Sequence, residues 1–356
     1  MKPNFDNCIL NVVSSIMKKY QLSSKYITNQ IVDEKIKNAK HVFLILLDGL
    51  GKNIVEKHLS VDSFIRSNMK DYITSVYPPT TVAATSAICS GKSPGETGIL
   101  GWHQYFEEIR QDVVLFKNVT TYTNYPLTIN VFNTYLHYIP IIKRFKNVKT
   151  FELYPSFKEN GFRTFKSMSK EIVNISKLPD ATYTYCYWNN PDYLMHELGT
   201  NDPKIKKVIK QIDRLLAKAF KNAGDDTVFI IIADHGVVDT VDLFLTDYPD
   251  LYSTLIRKPS IEARTIAFKV KDHDKFKLLF ENYFGKWFTL YETTQFLEAG
   301  YLGNEYTAAQ KFLFDYVAVA TDKYNIALER DDFIMKAHHA GDTEDEMIVP
   351  LSIASK

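Results

Sequence analysis

The stretch HVFLILLDGLG, residues 41–51, is a short apolar run that breaks at an Asp-Gly pair. Such a run predicts a buried strand, and the break places Asp48 in the loop that follows the strand. DTVFIIIADHG, residues 226–236, repeats the pattern and ends in Asp-His-Gly. ATYTYCYWNNPD, residues 181–192, alternates tyrosines and then turns at Asn-Asn-Pro, which predicts a third strand.

Between the last two strands lies DPKIKKVIKQIDRLLAKAFKNAG, residues 202–224, with apolar residues at helical spacing and Gly224 as a stop. Strands that alternate with helices predict an α/β fold with a largely parallel sheet. In open α/β sheets, ligands bind beyond the carboxyl ends of the strands. The residues that end the three strands are therefore the first candidates for a functional site.

The composition is that of a globular protein, with 45% hydrophobic and 24% charged residues among 356. The net charge of +1 gives no field that would recruit a nucleic-acid duplex or an anionic membrane. Three widely spaced cysteines indicate a reducing compartment, and we expect a cytoplasmic protein. Residues 1–20 have the pattern of an amphipathic helix, and no apolar stretch reaches the length of a membrane span.

The segment 258–300 breaks the alternation of strands and helices seen earlier in the chain. Its residues predict a strand, a helix and a further mixed segment. We expect a small α+β subdomain here, inserted into a catalytic core formed by residues 1–257 and 301–356. The stretch EDEMIVPLSI, residues 344–353, predicts a last strand of that core.

Carboxylates and imidazoles gather at the predicted strand ends and near the carboxyl terminus. They are Asp48, Asp192, His196, Asp234, His235, His338 and His339. Each has a structural alternative, such as a turn aspartate or a core histidine. Together they favour a divalent metal site, because these side chains are the ligands of zinc and similar ions.

SVYPPTTVAATSAICSGKS, residues 75–93, ends like a phosphate-binding P-loop, but Ser86 stands where that motif needs its first glycine. Gly91 and Lys92 instead fit the end of a helix. At the other end, Thr80 is placed to cap a helix that begins near Thr81. A helix start offers N–H groups to an anion. The alternative is that both threonines only cap the helix.

Other hydrolase motifs are incomplete. HELGT, residues 196–200, has a threonine where a zinc-protease helix needs its second histidine, and there is no G-x-S-x-G nucleophile elbow. By contrast, five segments in order resemble the alkaline phosphatase superfamily, in particular its type I phosphodiesterase and nucleotide pyrophosphatase family. They are LLDGLG (46–51), YPPTTVAATSAICSGKSPGETGILGW (77–102), NPDYLMHELG (190–199), ADHG (233–236) and HAGDTEDEMIVPL (339–351).

The resemblance implies a three-layer sandwich with a mostly parallel central sheet and two divalent metal ions. One ion would be held by Asp48, Thr81, Asp234 and His235. The other would be held by Asp192, His196 and His339, with His338 as the alternative to His339. Zinc is favoured by the number of imidazoles, and manganese is the alternative.

The resemblance also implies that Thr81 attacks phosphorus and forms a covalent phospho-threonine. The expected substrate is a small phosphodiester or nucleotide pyrophosphate. A phosphonate or phosphomonoester hydrolase using the same site is the second reading, and a non-catalytic binder is the third. The sequence predicts neither the substrate-contacting residues nor the oligomeric state.

Overall fold

The computed structural model of the chain describes residues 1–136, 138–330 and 335–356. The strands are β1 (His41–Leu47), β2 (Met69–Thr74), β3 (His103–Phe106), β4 (Gln111–Val114), β5 (Val119–Thr120), β6 (Lys149–Leu153), β7 (Thr182–Trp188), β8 (Thr227–Ile232), β9 (Val238–Asp239), β10 (Val241–Phe244), β11 (Ser260–Ile261), β12 (Thr265–Phe268), β13 (Phe288–Glu292), β14 (Tyr316–Ala320), β15 (Tyr324–Ala327), β16 (Ala337–His338) and β17 (Ile348–Ser355).

The helices are α1 (Ile9–Lys19), α2 (Gln30–Ile36), α3 (Lys52–His58), α4 (Phe64–Ser67), α5 (Thr81–Ser90), α6 (Pro94–Thr97), α7 (Val131–Tyr135), α8 (Phe165–Ile175), α9 (Asp192–Leu198), α10 (Pro203–Asn222), α11 (Pro249–Tyr252), α12 (His273–Phe284), α13 (Thr293–Glu298), α14 (Thr307–Gln310) and α15 (Glu344–Met347). Short 3-10 turns cover Ile141–Lys143 and Leu245–Asp247.

The chain forms two compact units, each built from separate segments. We call the first the six-strand unit, after its sheet. It contains Asn4–Ser75, Pro140–Val237 and Ile348–Lys356. The second, the seven-strand unit, contains Met1–Pro3, Val76–Ile139 and Val238–Met347.

The sheet of the six-strand unit has the order β2-β17-β8-β1-β7-β6. Strand β1 pairs in parallel with both β7 and β8, and β6 pairs in parallel with β7. Only β17 is antiparallel to its neighbours, β2 and β8. Every residue of β1, β7 and β8 is buried, as expected for central strands with both faces covered. The predicted α/β class with a mostly parallel sheet is confirmed.

Two predicted helices of this unit begin and end where their sequences indicate. Helix α1 buries the apolar side chains that gave its amphipathic pattern, among them Ile9, Val12 and Ile16. Helix α10 starts after Asp202, whose side chain accepts a hydrogen bond from the N–H of Lys204, and ends two residues before Gly224. A capping carboxylate at one end and a terminal glycine at the other account for these boundaries.

The main sheet of the seven-strand unit has the order β13-β14-β12-β11-β3-β4-β5, and all its pairs are antiparallel. Successive residues of β14 point to opposite faces, so Val317 and Val319 belong to one hydrophobic cluster and Ala318 to another. One cluster includes Val82 of α5, and the other includes three phenylalanines of α12. The sheet therefore has an apolar core on each face.

The predicted insertion, residues 258–300, supplies β11, β12, β13, α12 and α13. These strands share one sheet with β3 and with β14, which lie outside the predicted segment. The boundaries at 258 and 300 stay a prediction, while the division into units follows Val76–Ile139 and Val238–Met347.

Across the three described ranges, no helix combines the length and the apolar character that a membrane span needs. The three cysteines form no disulfide.

Candidate active site

The carboxyl ends of three parallel strands meet at one edge of the six-strand sheet. In the strand register, Leu47 lies opposite Trp188, and Leu46 lies opposite Ile232. The residues that follow these positions therefore emerge side by side. They are Asp48 after β1, Asp192 at the start of α9, and the Asp234–His235 pair after β8.

Asp48 is buried and makes contacts with each of the two neighbouring strand ends. Its Oδ1 lies 3.4 Å from Nε2 of His235. Its Oδ2 accepts a hydrogen bond from the hydroxyl of Tyr187, the penultimate residue of β7. The backbone is fixed as well, because its N–H donates to the carbonyl of Trp188 at 3.0 Å. Both carboxylate oxygens of Asp48 are thus held in defined directions.

Asp234 and His235 are fully buried. Oδ1 of Asp234 accepts hydrogen bonds from the N–H groups of Gly49 and His235, each at 3.1 Å. Oδ2 of Asp234 is buried, accepts no hydrogen bond from the described part of the chain, and lies 3.7 Å from Nε2 of His235. Nδ1 of His235 lies 3.0 Å from the carbonyl of Gly236, which indicates that Nδ1 donates there and that Nε2 carries the lone pair. Metal-binding histidines commonly have this arrangement.

Asp192 and His196 lie one turn apart on α9, as their spacing predicts. Oδ2 of Asp192 is 3.0 Å from Nε2 of His196. The backbone N–H of Asp192 donates to the carbonyl of Asp48 at 3.1 Å, which ties the start of α9 to the end of β1. Asp192 is buried and His196 is half-buried. The pair therefore spans from the cluster toward solvent.

Two glycines permit this close approach. Gly49 has φ +71°, and a Cβ added there would lie 2.7 Å from the Cβ of Asp192. A Cβ added to Gly51 would lie 2.4 Å from the Cα of Gly236. A larger residue at position 49 would push the loop after β1 away from the start of α9, and one at position 51 would push it away from the loop after β8, so both glycines of the LLDGLG segment serve the geometry of the cluster.

The carboxylates raise one another's pKa values. Burial, together with the charges of Asp234 and Asp192, holds the pKa of Asp48 well above its usual value. Burial and the charge of Asp192 raise the pKa of Asp234 to about 7. Tyr187 is buried beside these charges, and its pKa is also raised, chiefly by burial. The ionised form of this cluster requires a compensating positive charge.

These residues fit a divalent cation. Asp48, Asp192 and His235 each offer one ligand atom, and these atoms all lie within 4.8 Å of one another. Among the residues that the structure describes, none donates a hydrogen bond to the buried Oδ2 atom of Asp234. A set of carboxylate oxygens with an imidazole nitrogen suits zinc and manganese. The six-strand unit thus holds five of the predicted ligands, namely Asp48, Asp192, His196, Asp234 and His235.

Thr81, the predicted nucleophile, is the first residue of α5 in the seven-strand unit. Thr80 occupies the cap position, as predicted, but makes no capping bond with its side chain. Its hydroxyl instead donates to Oε1 of Glu262 at 2.7 Å. At the other end, Gly91 has φ +71° and closes the helix, which agrees with the rejection of a P-loop.

His338 and His339 also belong to the seven-strand unit. His338 ends β16, where it pairs with Val238 of β9, and His339 follows directly. Both side chains are half-buried. The parts that Thr81 and His339 take in metal binding stay predictions, as does the choice between the two histidines.

Sequence reasoning missed Tyr187 and Glu262. Tyr187 contributed only to the alternation of the third strand, and no motif pointed to its contact with Asp48. Glu262 binds Thr80 from 182 positions away in the chain. Neither contact leaves a local pattern, because each depends on how distant segments come together.

Several solved structures share this fold. Murine ectonucleotide pyrophosphatase/phosphodiesterase 5 superposes with a TM-score of 0.67 at 17% identity, and the match covers 88% of each chain. An inactive threonine-to-alanine variant of the murine protein in complex with AMP gives 0.66 at 17% identity over 87% of each chain. The human protein gives 0.65 at 18% identity over 87% of each chain. The fold is thus alkaline-phosphatase-like, as predicted.

A family model described as type I phosphodiesterase / nucleotide pyrophosphatase matches residues 42–279, more than half of the chain. The chain belongs to this family and is a hydrolase of phosphodiester or pyrophosphate bonds. No curated protein matches the chain significantly.

Proposed function

We propose that this protein hydrolyses small phosphodiesters or nucleotide pyrophosphates at a two-metal site, through a covalent phospho-threonine at Thr81. The buried cluster of Asp48, Asp192 and His235 carries the proposal, because its crowded carboxylates suit divalent cations. The family supplies the reaction class.

The ligands divide as the family resemblance suggests. Asp48, Thr81, Asp234 and His235 would hold one ion. Asp192, His196 and His339 would hold the other. Divalent ions at such sites offset the charge that builds up on the attacking and leaving oxygens.

The chain's own groups orient the reaction. The hydroxyl of Thr81 attacks phosphorus, and the leaving group departs on the opposite side. The phosphoryl oxygens are received by N–H groups at the start of α5, where the helix dipole favours negative charge. Water then attacks the phosphorus of the phospho-threonine, which releases the remaining phosphate monoester and restores the Thr81 hydroxyl. The Tyr187 hydroxyl keeps Oδ2 of Asp48 occupied, so that Oδ1 faces His235.

The substrate is proposed to be a nucleotide derivative. The murine structural neighbour binds AMP in a variant that lost a threonine and its activity. That observation supports both a nucleotide ligand and a threonine nucleophile for the present chain. We propose zinc as the resident ion, with manganese as the alternative, and a cytoplasmic location, which the three cysteines without a disulfide support.

The test is a substrate panel on metal-reloaded protein. Protein stripped with a chelator and reloaded with Zn²⁺ or Mn²⁺ is offered p-nitrophenyl thymidine 5′-phosphate, p-nitrophenyl phosphate and p-nitrophenyl phenylphosphonate. We expect the highest kcat/KM for the nucleotide diester, with little turnover before reloading. Faster hydrolysis of the monoester or the phosphonate would move the assignment to that class. Turnover that does not depend on added metal would disprove the proposed metal site.

The nucleophile is tested by Thr81→Ala, with Thr85→Ala as a matched change one turn further along α5. Thr81→Ala should lower kcat by at least about a thousandfold, since no other group replaces the attacking hydroxyl. Acid quenching of the wild type during turnover of p-nitrophenyl thymidine 5′-phosphate should trap a thymidylyl ester on the peptide that contains Thr81. Label on another residue, or substantial turnover by Thr81→Ala, would disprove the mechanism.

A further inference from the structure

A carboxylate links Thr80, the residue before the predicted nucleophile, to an exposed tryptophan. Oε1 of Glu262 accepts a hydrogen bond from the hydroxyl of Thr80 at 2.7 Å and another from the backbone N–H of Trp102, also at 2.7 Å. Two donors on one oxygen are at most two hydrogen-bond lengths apart. Trp102 therefore lies next to the residue that precedes Thr81, although 22 positions separate Thr80 from Trp102 in the chain.

The backbone around this junction is strained, as is common at functional sites. Ile261, which precedes Glu262, has φ +90°, a conformation that a β-branched residue rarely adopts. Gly101, which precedes Trp102, packs so closely that a Cβ would lie 2.5 Å from the carbonyl of Ile261. Such strain costs about 1–3 kcal/mol and tends to persist where function requires the geometry.

The side chain of Trp102 is available to a ligand. It is 40% exposed. The ammonium group of Lys117 lies 5.7 Å from the centre of the indole ring. The surroundings of Trp102 thus combine a flat aromatic face with a positive charge, and a nucleotide offers the matching base and phosphate.

We propose that Trp102 is a specificity-determining residue, and that its indole stacks on the nucleobase, or an equivalent aryl group, of the ester bound at Thr81. Glu262 positions the loop of Trp102 against the start of α5. The substrate class is therefore a nucleotide or aryl phosphodiester in preference to an alkyl one. The inference rests on the proposed function, since it takes Thr81 as the nucleophile.

Two substrates with the same leaving group test this selectivity. They are p-nitrophenyl thymidine 5′-phosphate, which carries a base, and p-nitrophenyl methyl phosphate, which does not. For Trp102→Ala, the ratio of the two kcat/KM values should fall by about 5- to 100-fold toward the methyl ester, as expected for the loss of one base–aromatic stack. Trp102→Phe should keep most of the preference, and Tyr125→Ala, at another exposed aromatic residue, should match the wild type.

Binding of AMP, measured by calorimetry, gives a readout that does not need turnover. Trp102→Ala should weaken AMP binding by a similar factor, while Trp102→Phe and Tyr125→Ala should not. An unchanged substrate ratio and unchanged AMP affinity in Trp102→Ala would overturn the stacking role, and so would equal losses on both esters. If the wild type hydrolyses neither ester, the proposed function fails instead, and the AMP measurement still decides the role of Trp102.

Discussion

The hydroxyl of Tyr187 is predicted to tune metal binding through Asp48, and Tyr187→Phe isolates that contribution. The substitution removes a single oxygen from a buried side chain. The ring keeps its packing, with Phe157 at a centroid distance of 6.0 Å and Tyr154 at 6.1 Å. The direct chemical change is the loss of the hydrogen bond to Oδ2 of Asp48.

The size of the effect follows from the charge state of Asp48. A hydrogen bond to an ionised acceptor contributes about 1.5–3 kcal/mol. Without a cation, burial and the charges of Asp234 and Asp192 hold the pKa of Asp48 high, so that Asp48 can take a proton in place of the lost bond. With a cation bound, Asp48 must be ionised, and the full loss applies. Metal affinity should therefore fall by about 10- to 100-fold, and the unfolding free energy of the metal-free protein should change by less than about 1 kcal/mol.

The assay is calorimetric titration of chelator-stripped protein with Zn²⁺ and with Mn²⁺ at constant pH. Tyr185→Phe is the matched control, because Tyr185 lies two residues earlier on the same strand and its side chain is also buried. The control should bind metal like the wild type. Metal affinity of Tyr187→Phe within twofold of the wild type, or an equal loss in Tyr185→Phe, would refute the reasoning.

Three further changes test other supports of the fold and site. Gly49→Ala should lower the unfolding free energy by about 1–2 kcal/mol or more, since φ is +71° and the new Cβ would press on Asp192; a melting temperature equal to wild type would contradict this. Glu346→Gln should cost about 3–5 kcal/mol in urea unfolding, because it leaves the fully buried guanidinium of Arg264 without its anionic partner; a loss below about 1 kcal/mol would contradict this. Burial lowers the pKa of His103 from 6.5 to about 4, so its neutral form stabilises the fold above pH 6.5, and that contribution is lost as pH falls through about 4. In urea unfolding, His103→Gln should reduce the loss of unfolding free energy between pH 6.5 and pH 4 by at most about 3 kcal/mol, and an unchanged loss would contradict the prediction.

The central strands and their terminal carboxylates were predictable because they are local features. An apolar run followed by Asp-Gly or Asp-His-Gly specifies a buried strand and its end, and β1 and β8 follow those patterns. The side-by-side emergence of Asp48 and Asp234 then follows from parallel pairing. The resemblance to a family added which of these residues act together, which no single pattern determines.

The other features of the fold were not predictable, because they depend on contacts between residues far apart in the sequence. Strand β17 comes from the last residues of the chain, yet it inserts between β2 and β8 and runs against both. Its sequence specifies a strand but not a place in the sheet. Each of the two units is likewise assembled from three segments that are separated in the sequence, so no composition shift marks their boundaries. The link from Thr80 to Glu262 belongs to the same class of contact.

The charges of the cluster give a physical reason to expect a cation there. Asp48, Asp192 and Asp234 are buried together, and the donors described for them include two backbone amides and the phenol of Tyr187, which are neutral. A fold stabilised only by its own contacts would favour apolar or neutral side chains at these positions, because burying several carboxylates together is costly. Glycines that let the loops approach closely bring the charges still nearer to one another. This crowding of buried carboxylates supports the proposal that a divalent cation binds here.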